Sequence, residues 1–150
     1  MRNWSALYRS PVVRRHMNGP LQRTAKEWWI GCERNAGLAE QQLSVVLSSS
    51  NDFVGVCGFL QSRENREWEL YLVLRQKYWR KGLATELAKT LITIAFDSLG
   101  ARRVVGIIDP ENQSSLKMVE KLGFRFMRKH SKPGHWQDGH FFYGIENKNA

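Results

Sequence analysis

One segment of this chain has the residue types and spacing to hold a phosphorylated ligand. Residues 79–84 read Trp-Arg-Lys-Gly-Leu-Ala and join an apolar strand to the start of a helix. The backbone N–H groups of such a turn can converge on one anion, and the helix N-terminus adds partial positive charge. Arg80 and Lys81 add side-chain charge. The segment therefore predicts a pyrophosphate site, with an ordinary helix cap at Gly82 as the alternative.

A second segment, residues 109–124, begins with polar residues and continues as a helix. It reads Asp-Pro-Glu-Asn-Gln-Ser-Ser-Leu-Lys-Met-Val-Glu-Lys-Leu-Gly-Phe. Asn112 and Ser115 fall in the first helical turn, where both could simply cap free backbone N–H groups. The same positions could also present polar side chains to a ligand that is bound at the first segment.

Together the two segments resemble the GCN5-related N-acetyltransferases (GNAT), which transfer an acetyl group from acetyl-CoA to an amine. Residues 79–84 match the family's Gln/Arg-x-x-Gly-x-Gly/Ala turn, with Trp79 in its first position, and residues 112–124 match its second conserved block. Two such blocks in the right order are far more specific than either alone. The amino-acid sequence of the two segments is most similar to the branch that acetylates ribosomal-protein N-termini. The resemblance covers roughly residues 66–130.

The resemblance implies that acetyl-CoA is the co-substrate and indicates which residues would hold it. Its pyrophosphate would lie against the amides of residues 80–85, and its pantetheine arm would pair with the end of the preceding strand, where the family's strands splay apart. Plain core packing is the alternative for the strand residues. The expected cofactor-binding residues are Val73, Leu74, Arg80, Lys81, Gly82, Leu83, Ala84, Thr85, Asn112, Ser115 and Lys117.

Acetyl transfer also needs an acid for the departing thiolate. Many relatives place a Tyr four residues beyond Ser115, but Val119 stands there in this chain. Ser115 is therefore the catalytic candidate for donating a hydrogen bond to the sulfur. Neither cysteine lies in the two blocks, so direct attack by the amine is expected rather than a thiol intermediate.

The attacking amine must be neutral, so a base is needed. Glu69 matches a Glu of the N-terminal acetyltransferase branch and could act directly or through water. Pairing with a neighbouring cation, Arg66 or Arg75, is the alternative, and Glu67 is a second candidate on the same strand face. An α-amine, with a pKa of about 7.7–8.0, needs less help than a lysine amine at about 10.4.

Three histidines at equal spacing, His130, His135 and His140, lie near the C-terminus. No Cys or carboxylate pattern accompanies them, so no metal site is predicted. A solvated loop is the simplest interpretation, and a histidine base above the acceptor cleft is the alternative.

Length and composition are those of one globular domain spanning residues 1–150, with 42% hydrophobic residues. No apolar run could span a bilayer, and the N-terminus does not read as a signal peptide. Cys32 and Cys57 are isolated and expected to be buried and reduced, which is consistent with the cytoplasm.

The net charge is +9, from 23 basic and 14 acidic residues. Coenzyme A accounts for part of this charge, and RNA, tRNA or a ribosome surface is a candidate partner for the rest. The alternative is that the charge serves solubility alone. A positive surface argues against a free polyamine as acceptor.

Hydrophobic periodicity and turn residues predict the elements that position these segments. The fold class is α/β (α+β), a GNAT-like mixed, mostly antiparallel sheet with helices on both faces. The family's first strand is missing or reduced to residues 1–3, and an open sheet edge could then support a homodimer. The expected helices are one or two within 3–17, then 25–35, 83–99 and 112–122; the expected strands are 43–48, 53–60, 67–74, 103–108, 124–129 and 140–145.

The sequence thus predicts an acetyl-CoA-dependent N-acetyltransferase whose acceptor is a primary amine, with a protein N-terminus as the leading candidate. The aminoacyl group of aminoacyl-tRNA is the next candidate. A CoA- or RNA-binding module without catalysis is the alternative of a different class, because the usual Tyr and the first strand are absent.

Overall fold

The computed structural model describes residues 2–17, 40–61, 67–131, 133–135 and 137–148. The predicted helix 25–35 and Cys32 lie outside these ranges. The described helices are α1 (Arg2–Arg9), α2 (Pro11–Arg14), α3 (Leu83–Asp97) and α4 (Gln113–Lys121), and a short 3-10 helix covers Gln76–Tyr78. The described strands are β1 (Glu40–Val46), β2 (Phe53–Gln61), β3 (Glu67–Leu74), β4 (Arg103–Ile108), β5 (Arg125–Lys129) and β6 (Phe141–Glu146).

The described strands form a six-stranded sheet in the order β1-β2-β3-β4-β6-β5. The β3–β4 pair is parallel and every other pair is antiparallel. A parallel pair needs a crossover, and α3 provides it. The predicted mixed, mostly antiparallel sheet is therefore confirmed.

Helices cover both faces of the sheet. On one face α1 and α2 pack against β2 and β3, where Leu7 and Val13 join a cluster with Val56 and Val73. On the other face α3 and α4 bury a larger core, whose fully buried members include Phe59 and Val104. We call these the α1 face and the α3 face.

Strand alternation assigns the candidate residues of β3 to these faces, because successive side chains point to opposite sides. Trp68 lies on the α3 face, where its ring packs edge-on against Phe59 with 5.9 Å between centroids. Tyr71 packs in the cluster of the α1 face. Glu67 and Glu69 share the parity of Tyr71, so they also belong to the α1 face.

Most predicted element boundaries agree with the structure to within two residues. The largest difference is β1, expected at 43–48 but observed at Glu40–Val46, because its pairing with β2 extends to Leu60 opposite Glu40. Asn112 is the N-cap of α4 rather than its first residue.

Of the two alternatives for the family's first strand, a remnant at residues 1–3 is excluded for Arg2 and Asn3, which begin α1. That helix lies against the sheet, since the indole N–H of Trp4 donates to the Ser44 hydroxyl of β1 at 2.8 Å.

Cys57 is a buried free thiol, and burial raises its pKa. The expectation that Cys57 is buried is therefore confirmed. No helix within the described ranges is both long and apolar enough to cross a membrane.

Candidate active site

The candidate site lies where the two parallel strands separate. β3 and β4 pair at only three positions, which are Glu67 with Arg103, Trp68 with Val104, and Glu69 with Val105. Beyond that point each strand runs on to its own helix without further pairing to the other. From residue 70 onward β3 is therefore not paired to β4, which agrees with the strand splay that the family resemblance implies.

The end of β3 is held on its other side by β2. A Cβ on Gly55 would lie 2.2 Å from the Val73 carbonyl oxygen, so only glycine allows the backbones to come this close. The Leu74 side chain is buried against Val54 and Tyr78. Val73 and Leu74 therefore place their side chains in hydrophobic clusters, and only their backbone groups could serve a ligand.

The turn before α3 has the backbone geometry of an anion cradle. Gly82 is the N-cap of α3 with φ of 80°, and no side chain caps the helix. The amides of Leu83, Ala84 and Thr85 have no intrahelical acceptor, because the first turn of any helix leaves its N–H groups free. Among the described residues, nothing lies within 4 Å of a Cβ added at Gly82, so none of them fills the space beside its Cα.

Trp79, the residue that departs from the family motif, has a structural role. Its indole N–H donates to the Leu74 carbonyl at 2.8 Å, which ties the turn to the end of β3. Arg80 has a positive φ of 60°, and its side chain and that of Lys81 are exposed. The basic side chains thus lie at the rim of the turn while its backbone keeps a defined shape.

The N-terminus of α4 is organised differently, by a side chain of its own. The Asn112 Oδ1 accepts the Ser115 N–H at 3.2 Å, which is a helix N-cap. The cap uses only the oxygen of Asn112, so its amide N–H groups remain for a ligand. Capping and ligand binding, which the sequence left as alternatives, are therefore compatible at this residue.

Ser115 is partly buried. Its backbone N–H donates the capping hydrogen bond to Asn112, and its side-chain hydroxyl takes no part in that bond. Val119, one helical turn further on, is buried in the core of the α3 face, and Lys117 is exposed. Among these three, Ser115 is the residue that is partly buried and carries a hydroxyl group.

Glu69 is the carboxylate at the point of strand separation. Burial raises its pKa to about 7. The expected alternative of an ion pair with Arg75 is not observed, because the Arg75 guanidinium donates to the Phe53 carbonyl at 3.3 Å. The other proposed partner, Arg66, lies outside the described residues.

Glu67, the second candidate base, has a structural role instead. Its carboxylate forms an ion pair with Arg103, and Arg103 also contacts Glu146 at 2.5 Å. This network joins β3, β4 and β6 at the closed end of the strand pair. A carboxylate that is committed to a guanidinium is a poor proton acceptor, so Glu69 is the better candidate.

The three histidines of the 130–140 segment are partly or fully buried, whereas several residues between them are exposed. His130 stacks on Phe142 with 5.4 Å between ring centroids and lies 5.5 Å from the ring of His135. His140 is buried. The described residues contain no group of three or more ligating side chains arranged for a metal ion.

Sequence reasoning missed one polar pair beside the site, His16 and Asp109. The His16 Nδ1 lies 2.9 Å from Asp109 Oδ2, and Asp109 is the buried residue that directly follows β4. The only sequence signal was a charged residue between a buried strand and a proline. Its partner, in the segment after α2, is 93 positions away.

The chain belongs to the GNAT acetyltransferase family, because the family description Acetyltransferase (GNAT) domain matches residues 2–125. This places it among acetyl-CoA-dependent acyltransferases, and acetyl-CoA is the co-substrate of the family. The uncapped turn at Gly82 and the stretch of β3 that is not paired to β4 are the parts of this chain that would hold the pyrophosphate and the extended arm of that molecule.

Two bacterial relatives support the same family. The chain is 32% identical over 85 residues to the uncharacterized N-acetyltransferase p20 of Bacillus licheniformis, a match that covers 56% of this chain and 48% of p20. It is 28% identical over 138 residues to the uncharacterized protein YkkB of Bacillus subtilis, covering 85% of this chain and 78% of YkkB. The chain thus spans about half the length of one relative and most of the other.

Two solved structures from Vibrio cholerae share the fold. A spermidine N-acetyltransferase in complex with CoA and spermine superposes with a TM-score of 0.83 at 16% identity, covering 97% of this chain and 88% of that one. A protein described as a proposed ribosomal-protein-serine acetyltransferase gives a TM-score of 0.71 at 16% identity, covering 83% and 76%. At this identity the likeness supports the architecture alone.

Proposed function

We propose that this chain acetylates the α-amino group of a protein N-terminus, with Glu69 as the base and acetyl-CoA as the donor. The observation that carries the proposal is the placement of Glu69 on the α1 face, where β3 and β4 separate, with its pKa raised to about 7. A base is most effective when its pKa lies near the working pH.

The acceptor class follows from matching this base to the amine. An α-amine has a pKa of about 7.7–8.0, so a base with a pKa of about 7 can take its proton with little thermodynamic cost. A lysine-type amine, with a pKa of about 10.4, would hold its proton far more strongly. The net charge of +9 also disfavours a polycationic acceptor such as spermidine.

In this proposal each part of the site has one task. The amides of residues 80–85 bind the pyrophosphate, and the free edge of β3 orients the pantetheine arm. Asn112 contacts that arm through its amide N–H groups, and Ser115 donates to the sulfur as it departs. Glu69 accepts the proton of the incoming amine, directly or through one water molecule. Acetyl-CoA supplies the acetyl group, which the amine accepts without an enzyme-bound intermediate.

The test of the acceptor is CoA release with three kinds of substrate: a peptide with a free N-terminus, aminoacyl-tRNA and spermidine. We expect turnover with the peptide and none with the same peptide blocked at its α-amine. Turnover with spermidine or aminoacyl-tRNA, but not with the peptide, would identify that compound as the acceptor instead of a protein N-terminus. Binding of CoA without turnover on any amine would leave a non-catalytic module as the better description.

The test of the base is Glu69→Gln, which should lower kcat/KM by roughly 10²- to 10⁴-fold. The parent enzyme should gain activity as the pH rises through about 7, since Glu69 must lose its proton to act. The variant should lack that rise. Glu67→Gln is the control on the same strand face, and its loss of the Arg103 ion pair should affect stability more than kcat.

The pKa of Glu69 also predicts how stability depends on pH. Its pKa is about 7 in the folded state, against an ordinary value of 4.5 in the unfolded chain, so the buried carboxyl stays neutral up to about pH 7. The folded state therefore binds the extra proton, and the free energy of unfolding falls as pH rises between these values. The fall should reach up to about 3 kcal/mol and should be absent in Glu69→Gln.

A further inference from the structure

Asp109 connects the strand end to the helix that carries Asn112 and Ser115. Its backbone carbonyl accepts the Asn112 N–H at 2.9 Å, and its Oδ1 accepts the Glu111 N–H at 2.9 Å. One residue thus closes the whole turn from β4 to α4. The position of Asn112, and through the cap that of Ser115, depends on how firmly Asp109 is held.

His16 holds the remaining oxygen of Asp109. The Nδ1–Oδ2 distance is 2.9 Å, and the side chains are 25% and 9% exposed. Burial alone would raise the pKa of Asp109, but the hydrogen bonds from Glu111 and His16 and the electrostatic attraction of His16 and His140 outweigh it, so the pKa is lowered. The carboxylate therefore stays charged and hydrogen-bonded, as a fixed anchor requires.

We propose that His16 is a positioning residue for acetyl transfer: it clamps Asp109, and Asp109 in turn fixes the turn that presents Asn112 and Ser115. The contacts form an unbroken series from the segment after α2 to the first turn of α4. This inference rests on the proposed function, because it assigns a task to the same site. The inference adds His16 to the site, a residue that lies in neither of the family's two sequence blocks.

The clamp also connects the two sides of the sheet. His16 follows α2, which packs on the α1 face, while α4 packs on the α3 face. The His16–Asp109 contact, at the residue that directly follows β4, joins the segment after α2 to the turn before α4. The N-terminal helices therefore contribute to the site through position, without a side chain of their own on the sulfur.

The test compares His16→Ala with His16→Asn. An asparagine amide can place an N–H near the position of Nδ1, so it restores the clamp but cannot take up a proton as imidazole does. We expect His16→Ala to lower kcat about tenfold, less than the roughly hundredfold loss that a 1 Å displacement can cause. CoA affinity should fall less than kcat, because the turn at Gly82 is not touched and Asn112 is displaced rather than removed. His16→Asn should recover most of kcat.

Arg15→Ala is the matched control, since Arg15 is the exposed neighbour of His16. It should behave as the parent does. If His16→Ala keeps the parent kcat, the clamp is only structural and the proposal is wrong. If His16→Asn is as slow as His16→Ala, His16 acts through its own proton and the positioning role is also wrong.

A readout without turnover separates this inference from the proposed function. Amide hydrogen exchange at Glu111 and Ser115 should be faster in His16→Ala than in the parent, and restored in His16→Asn. Unchanged exchange would overturn the clamp even if acetyl transfer is observed. Faster exchange in a protein that acetylates no amine would keep the clamp and reject the proposed function.

Discussion

The N-termini of α3 and α4 occupy equivalent places, each after one of the two strands that separate, yet they are built in opposite ways. Gly82 leaves the start of α3 without a side-chain cap, whereas Asn112 caps the start of α4. The charges differ too. Exposed basic residues, Arg80 and Lys81, flank the first terminus, and acidic residues, Asp109 and Glu111, precede the second.

This difference assigns separate tasks to the two termini. Free N–H groups beside basic side chains attract phosphate, which the uncapped end of α3 offers. A capped terminus has little left for an anion, and the acidic residues around it would repel one. What the capped end of α4 offers instead is a fixed geometry for two polar side chains. In the proposed function, the site therefore divides into a part that binds charge and a part that aligns a reacting group.

The largest effect should come from filling the open terminus. We expect Gly82→Trp to weaken CoA binding by at least about 100-fold, since several charge-assisted hydrogen bonds would be lost. Gly100→Trp is the matched control at the other end of α3. Gly100 also has a positive φ, 62°, and also has nothing within 4 Å of an added Cβ. Calorimetry that finds equal CoA affinity in both variants would contradict the phosphate site.

The next effect concerns the aligned side chain on α4. Ser115→Ala keeps the backbone N–H that Asn112 caps and removes only the hydroxyl. We expect kcat to fall by about tenfold with a smaller change in KM, the pattern of an interaction made mainly in the transition state. Ser114→Ala, at the exposed neighbouring position, should be unchanged. If both variants keep the parent kcat, Ser115 is only a helix residue.

A smaller effect should follow from removing the cap itself. Asn112→Ala should lower the free energy of unfolding by about 1 kcal/mol, whereas Asn112→Gly should cost only a few tenths. Both variants lose the amide that is proposed to contact pantetheine, so both should weaken CoA binding equally. Urea denaturation and calorimetry on the two variants would separate capping from binding. Equal stability of the two variants would argue that the cap contributes nothing.

The smallest change should be the salt dependence of CoA binding. If a second basic surface serves RNA or tRNA, binding of that polyanion should weaken steeply with salt through counterion release, and CoA binding much less. The Gly82→Trp variant should then lose CoA binding but keep RNA binding. If the protein binds no RNA at low salt, CoA binding and solubility alone would explain the net charge of +9.

Several parts of this protein could be predicted from local sequence. Strands β3 and β4 were expected at 67–74 and 103–108 and are observed at Glu67–Leu74 and Arg103–Ile108. Both are apolar runs bounded by polar or glycine-containing turns. The glycine turn before α3 and the polar start of α4 were also recognisable, because caps and turns depend on neighbours within a few residues.

The tertiary structure alone decided three features. The separation of β3 and β4 after Glu69 and Val105 depends on how both strands pair with their other neighbours. The raised pKa of Glu69 depends on the burial that this packing creates. The His16–Asp109 contact joins residues 93 positions apart, and no local rule reports such a distance. Propensity and capping act along the chain, whereas burial and long-range hydrogen bonds exist only once the sheet and helices have packed.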